Sequence, residues 1–219
     1  MVSADFSSTE ADAFNPLITA TADRLRSLSQ RSLQGAWHYT LDPRPASTVL
    51  TGTAWQQWPL AVPNGKDHIA WPRGQQTLWL CQQLTVPSAL NGFPLAGLSL
   101  RLGLTWWAEA VTVYVQGQAV QQGDLFDCLV RLPLSDRVTP GDTFTIALQL
   151  VSPGHDDGAL VQSVALYESP SAAFPEPGFV ADELTVLQTY ATQLAPEKLP
   201  TIGAAIAPLD WSQVPLPEA

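Results

Sequence analysis

Alternating hydrophobicity points to a mainly β chain folded as a jelly-roll or β-sandwich. Leu98, Leu100, Leu102, Leu104 and Trp106 occupy every second position of one run, so one face meets a core and the other meets water. Val111, Val113 and Val115 repeat the pattern, with Thr112 and Tyr114 on the opposite face, and the run ends at Gln116-Gly117, close to the favoured Asn-Gly hairpin turn. After Pro140-Gly141-Asp142, Phe144, Ile146, Leu148 and Leu150 alternate again. Two apolar inner faces of this kind bury one another.

Taken in order, residues 1–14 read as a flexible leader, rich in Ser, Ala, Asp and Thr. A helix is expected over 15–35, with Asn15 as N-cap, Pro16 at its first position, an apolar stripe of Ile18, Ala22, Leu25 and Leu28 down to about Leu33, and Gly35 as terminator. The β-sandwich domain spans 36–169. Its first part, Trp37 to Gly74, is Pro- and Trp-rich and suggests short strands and long loops over a sheet edge. Regular strands are expected near 77–86, 98–106, 110–116, 125–132, 143–151 and 161–168. Residues 170–219 follow as a linker, a helix and a Pro-rich tail. In the helix, Val180, Leu184, Leu187, Ala191 and Leu194 recur at helical spacing, and Pro196 and Pro200 close it. The tail has no core pattern of its own and reads as a stretch leading toward an absent domain.

Composition narrows the function. Of the 219 residues 14% are charged and the net charge is -10, with Lys66 and Lys198 the only lysines, so phosphate neutralisation is excluded and no nucleic-acid partner is expected. No apolar stretch approaches the ~20 residues that span a bilayer, and Met1 to Glu10 carries acids instead of a basic flank and an apolar run, so neither a membrane nor a secretory leader is expected. Cys81 and Cys128 then read as buried free thiols of a cytoplasmic protein. Seven of the eight tryptophans (Trp37, Trp55, Trp58, Trp71, Trp79, Trp106 and Trp107) fall in the first half of the strand region, as core, sugar platforms or contacts with another domain.

Candidate chemistry is sparse. The chain has three histidines and no nucleophile elbow, phosphate loop or dinucleotide glycine motif. His155 and Asp157, flanking Asp156, stand two apart, which on extended backbone puts both on one side as metal ligands; the competing reading is a polar loop whose acids cap turn amides. Asp124 and Asp127 in Gly123-Asp124-Leu125-Phe126-Asp127 suit sugar hydroxyls or an acid pair, against a turn-capping role for Asp124. In Trp106-Trp107 one ring points inward and one outward, and an exposed Trp107 beside Glu109 suits a sugar platform or an interdomain anchor. Trp107, Glu109, Asp124, Asp127, His155, Asp156 and Asp157 are therefore the candidate binding residues. No catalytic or metal-ligating residue is assigned.

Ordered pieces from about His68 to Glu168 carry a resemblance: Leu102-Gly103-Leu104-Thr105-Trp106-Trp107-Ala108-Glu109-Ala110, Val113-Tyr114-Val115-Gln116-Gly117, Gly123 to Asp127, Thr139-Pro140-Gly141-Asp142, Gly154 to Gly158, and Leu166-Tyr167-Glu168. In that order they resemble the N-terminal β-sandwich domain of the family 38 glycoside hydrolases, the class II α-mannosidases of the cytosolic and bacterial branch. The arrangement is also similar to the galactose-binding-like jelly roll of many glycosidases; Gln116 departs from the usual Asn. The resemblance implies a non-catalytic accessory domain whose parent hydrolyses terminal α-mannosides with retention. Its partner would be the family 38 catalytic domain, in cis or as a separate chain, with mannosides as a further ligand. Zinc belongs to that absent catalytic domain, and no cofactor is expected here. Docking is expected through the aromatic-rich first half and the helices at 16–33 and 180–194, with the loops at 121–127 and 153–158 at the substrate entrance. A stand-alone carbohydrate-binding module and a protein-interaction sandwich are the alternatives.

Overall fold

Strands form where the alternation is strongest. The structure, a computed structural model, describes residues 8–171 and 173–211, with side chains from Phe14 onward. Helix α1 (Ser8–Ser29) is followed by β1 (Gln30–Ser32), β2 (His38–Thr40), a short helix α2 (Ala46–Leu50), a 3-10 turn over Ala54–Gln57, and β3 (Ile69–Trp71). Then come β4 (Thr77–Thr85), β5 (Ala89–Leu90), β6 (Phe93–Pro94), β7 (Ser99–Trp107), β8 (Ala110–Val115), β9 (Gln118–Gly123), β10 (Leu129–Ser135), β11 (Thr143–Val151) and β12 (Gly158–Glu168). Helices α3 (Pro177–Leu194) and α4 (Leu199–Ile206) complete the described elements. Two compact units result: residues 31–88 with 96–166, and residues up to 30 with 89–95 and from 167 on.

The first unit is a β-sandwich. One sheet runs β1-β12-β7-β10, with β3 also on β12, and the other runs β2-β4-β11-β8-β9. Leu100, Leu102, Leu104 and Trp106 of β7, Val111 and Val113 of β8, and Ile146, Leu148 and Leu150 of β11 are all buried, the period-two set that the sequence places on inner faces, and Leu78, Leu80 and Leu84 of β4 are buried with them. Strand β9, absent from the expected set, has no apolar alternation. It is captured by its turn, where Gln116 and Gly117 take φ of 50° and 78°, the left-handed pair of a type I′ hairpin. A Gln works there because its side chain ties the turn to β11: Nε2 donates to the Thr143 carbonyl at 3.1 Å and Oε1 accepts from the Thr145 amide at 3.3 Å. β10 begins at Leu129, four residues later than expected, because Asp124 holds the preceding residues in a loop.

Trp37 to Gly74 supplies the short strands expected at the sheet edges, β2 on β4 and β3 on β12, and it also covers a sheet face, which was not expected. Val49 and Trp55 pack on Trp79, Cys81 and Ala147, the outward positions of β4 and β11, so the segment roofs the outer face of that sheet. Trp79 Nε1 fastens the roof by donating to the Arg44 carbonyl at 3.1 Å. The tryptophans belong to the core. Trp37, Trp55, Trp71, Trp79 and Trp106 are buried and Trp58 half-buried, which removes the aromatic-rich first half as an interdomain surface; only Trp107 of the seven is exposed, at 39%.

A buried polar cluster marks an irregularity in β12. Its inward positions are 158 and 160, then 163, 165 and 167, so one extra residue shifts the parity. Gln34, itself buried, bridges that point. Its Nε2 donates to the carbonyls of Leu160 (3.1 Å) and Asp67 (2.7 Å), its Oε1 accepts from Ser163 Oγ at 2.7 Å, and Ser163 Oγ accepts from Trp37 Nε1 at 2.9 Å.

The second unit is helical. α1 starts at Ser8, inside the expected leader, and carries Pro16 within it; Glu10, Ala11 and Ala13 are good helix formers, and the described part from Phe14 on packs against the other helices. It ends at Ser29 and not at Gly35. There the buried Ser29 Oγ accepts the Gly178 amide at 2.8 Å, and the next residues enter β1. The Pro-rich tail also departs from expectation, since Leu199, Ile202 and Ile206 of α4 join Ile18, Ala191, Leu184 and Phe14 in one core. Pro200 sits in the first turn of α4, where its missing N–H costs nothing. The Pro215 and Pro217 of that tail lie outside the described residues. Within the same unit β5 and β6 form a two-residue hairpin over Asn91-Gly92, both with positive φ, and Asn91 Nδ2 donates to the Ser27 carbonyl at 2.8 Å.

Both cysteines are free, Cys81 buried and Cys128 half-buried. Burial pushes the Cys81 thiol up to about 12. No helix among the described residues is long and apolar enough to cross a membrane.

Two outcomes follow. Gln34→Leu keeps the bulk but removes the side-chain donor from the Asp67 and Leu160 carbonyls and the acceptor from the Ser163 hydroxyl proton, and it lowers stability by at least about 2 kcal/mol, read from the urea midpoint at unchanged m value. A thiol-specific disulfide reagent near neutral pH modifies Cys128 first in the folded protein, and Cys81 reacts at a comparable rate only once denaturant is added.

Candidate functional site

Register gathers the candidate residues at one end of the sandwich. Val151, the last residue of β11, pairs with Thr77 and with Ala110, the first residues of β4 and β8. Gly158 at the start of β12 faces Trp71 at the end of β3, Gly123 at the end of β9 faces Val111, and Leu129 at the start of β10 faces Thr105 near the end of β7. The turns at 72–76, 108–109, 124–128 and 152–157 therefore share this end; they hold Glu109, Asp124, Asp127, His155, Asp156 and Asp157, and Trp107 ends β7 beside Ala108.

Most of the polar groups here are committed to turns. Asp124 Oδ1 accepts the amides of Phe126 (2.7 Å) and Asp127 (3.0 Å), and these hydrogen bonds hold its carboxyl below the ordinary carboxylate value. Asp157 Oδ1 accepts the Arg73 amide at 3.0 Å and Asp156 Oδ1 accepts the Asp157 amide at 2.9 Å, so the two acids beside His155 shape the loop. The Gly74 amide donates to the Pro153 carbonyl at 3.0 Å, and Gln76 and Ser152 exchange two bonds of 3.0 Å, which locks the 72–76 and 152–157 turns together. Among the described residues no group of three or more His, Cys, Asp or Glu side chains could hold a metal ion.

Trp106 and Trp107 divide as alternation requires. Trp106 is buried, and its Nε1 donates to the Asp124 carbonyl at 3.0 Å; Trp107 faces outward. Gly123 has no room for a side chain, since a Cβ there would meet the Trp106 ring and the Asp127 carbonyl. Phe126, at 94% exposure, and Leu129, at 73%, add exposed apolar surface at this end. Glu109 accepts Gln75 Nε2 at 3.0 Å, and Gln75 is held in the left-handed region at φ 58°.

Sequence reasoning missed Phe126, Leu129 and Gln75. A lone Phe in a polar loop does carry a signal, because an apolar side chain between two loop acids has no core to enter. Also missed was a groove of about 230 Å³ beside the same end, lined by Tyr39, Leu41, Leu60, Val62, Ile69, Trp71 and Leu78 among others. All but Leu78 of these residues fall in the Pro- and Trp-rich segment that the sequence reads as short strands and long loops.

Comparison with known proteins gives no family. No family model matches the chain, and no curated protein matches it. Solved structures that resemble it include a calcium-binding mutant of Bacteroides uniformis β-glucuronidase 2 (15% identity, TM-score 0.47, 64% of this chain and 18% of that one). A glycosyl hydrolase family 2 member from Bacteroides cellulosilyticus (13%, TM-score 0.49, 65% and 21%) and Ruminococcus gnavus β-glucuronidase with D-glucuronic acid (12%, TM-score 0.42, 64% and 29%) are similar to a like extent. The chain thus spans between about a fifth and a third of their lengths. The resemblance to the family 38 α-mannosidases is corrected by these findings: no model of that family matches, and these solved structures are family 2 enzymes and β-glucuronidases. The family 38 catalytic domain falls with it as a partner. Turn chemistry explains the error. Asp142 Oδ2 accepts the Thr139 amide at 2.8 Å and Gly141 takes φ of 95°, so Thr-Pro-Gly-Asp serves a tight turn that any antiparallel sandwich can use.

The Asp124 geometry has a pH signature. A folded-state pKa below the unfolded one adds stability that is present above the unfolded pKa and is lost as pH falls through the folded one. Amide shifts of Phe126 and Asp127 in NMR spectra accordingly move together on acidification below the ordinary carboxylate range. Asp124→Asn abolishes that titration, and Asp124→Ala gives the displaced shifts at every pH.

Proposed function

We propose that this chain is a non-catalytic β-sandwich module that serves a larger carbohydrate-active enzyme, whose catalytic domain is in cis or on a separate chain. The observation that carries this reading is the loop end itself: Asp124, Asp156 and Asp157 are spent on turn amides while Trp107, Phe126, Leu129 and His155 are presented outward, which suits recognition better than bond cleavage. The similarity of the strand-and-turn arrangement in the sequence to the galactose-binding-like jelly roll of many glycosidases motivates the parent class. In this role Trp107, Glu109, Asp127 and His155 meet either a sugar or the catalytic domain near its substrate entrance, with Asp124, Asp156 and Asp157 holding the loops that present them. No cofactor belongs to this role. A cytoplasmic setting goes with two free thiols.

A second reading, sugar binding by the module alone, is favoured by the groove of about 230 Å³ with Tyr39 and Trp71 on its walls, since a half-open apolar site with aromatic sides accepts a sugar ring. Calorimetry separates the two. Titration with a panel of hexoses, hexuronic acids and short oligosaccharides gives no saturable heat for a docking module, and saturable heat weakened by Trp107→Ala or by Tyr39→Ala for a sugar-binding one. Turnover of aryl glycosides by the purified chain well above background would overturn both.

A further inference from the structure

Helix α3 is apolar on two sides. Its inner side is accounted for within the helical unit: Ala181 and Ala191 are buried, Leu184 packs in the core with Ile18 and Leu199, and Gln188 Nε2 donates to the Asn15 carbonyl at 3.0 Å. On the opposite side Phe179, Val186, Leu187, Tyr190 and Leu194 are 49, 55, 51, 62 and 75% exposed. At 3.6 residues per turn they share one arc of the helix with Glu183, over the whole length of α3. A solvated helix face is ordinarily polar, and a continuous stripe of five large apolar side chains marks a face that has a partner.

The order of residues in the stripe says what that partner is. Phe179, Glu183, Val186, Leu187, Tyr190 and Leu194 are placed symmetrically about the midpoint between Val186 and Leu187, each at the same distance as its counterpart on the other side. An antiparallel copy of the same helix centred there sets Phe179 against Leu194, Glu183 against Tyr190, and Val186 against Leu187, each pair occurring twice as an isologous contact requires. The single charge of the stripe then faces a phenol hydroxyl that can donate to it, and not a second carboxylate. A slip of one turn in either direction loses these pairings and sets Glu183 against Val186 and Leu187 or against Gln193 and Leu194, where no phenol hydroxyl can donate to it. We propose that the outer face of α3 docks a second copy of this chain, antiparallel and centred between Val186 and Leu187. The net charge of -10 on each chain opposes this association, so added salt tightens it.

The proposal stands apart from the accessory role and fails separately from it. Sedimentation velocity of the full chain over a concentration series shows a monomer–dimer equilibrium, tighter at high salt. Val186→Glu with Leu187→Glu brings four carboxylates to the axis and weakens it at least about tenfold, with far-UV circular dichroism unchanged. For register, Phe179→Cys and Leu194→Cys are each made together with Cys128→Ser. Mild oxidation cross-links an equal mixture of the two proteins and neither one alone. A monomer at all concentrations up to roughly 1 mM, a dimer indifferent to the double substitution, or cross-linking within a single variant overturns the proposal. A monomer also leaves the face to a different protein.

Discussion

Burial of β4 on both faces is the constraint on which the sandwich depends. Thr77–Thr85 pairs with Thr143–Val151 over nine positions, placing Leu78, Leu80 and Leu84 inside. The alternate positions Trp79 and Cys81 would be left in water if that sheet were bare outside. Trp79 alone carries more apolar area than most side chains, so a roof is obligatory, and α2 with the following turn supplies it. The same requirement consumes most of the tryptophans. A chain with this many exposed indole rings would present an adhesive surface; with five of seven buried in the strand region, recognition is left to the loops.

The helical unit answers a different requirement, close approach. Gly178 meets Ser29 and Gln30, and Gly203 lies against Phe14 without room for a Cβ, so the helices touch where glycine interrupts them. Arg26 then spans from α1 to Asp182 at 3.1 Å and Thr185 at 2.6 Å, an exposed arrangement that orients more than it stabilises. Ala181 and Ala191 on α3 serve the same end as the glycines. Small residues stand beside Leu184 and Gln188 on the inner side while five large apolar ones sit outside, unlike a solvated helix face, and this makes α3 more than a cover for its neighbours.

The loop end illustrates how fold and function share residues. An acid in a turn looks the same in sequence whether it binds a ligand or caps an amide. Asp124, Asp156 and Asp157 do the second, and by doing so they fix where Trp107, Phe126 and His155 stand. The seven candidate residues were legible as a group because polar residues between strands have nowhere to go but the ends of a sandwich. Gln75 and Leu129 were not, since only the pairing of β10 and the locked 72–76 turn bring them to this end. The same ambiguity produced the mistaken family resemblance: Pro-Gly-Asp and Gly-Asp pieces in a fixed order report turns at regular spacing, which many sandwiches need.

Period-two alternation by itself determined the inner faces of β7, β8 and β11, because a one-residue slip would turn the apolar set of each strand outward. Net charge and the lack of clustered lysines likewise set the expectation against a phosphate-rich partner without any coordinates. Tertiary structure alone decided the rest. β9 exists because Gln116 can reach Thr143 and Thr145, 27 and 29 residues away in sequence. Gln34 is buried because β12 inserts one residue and leaves carbonyls to satisfy, and α4 forms because Leu199 and Ile202 find Ile18 beneath them. Alternation is a local property that every residue carries in its own side chain, whereas each of these contacts is a meeting of distant segments whose worth appears only when both have arrived.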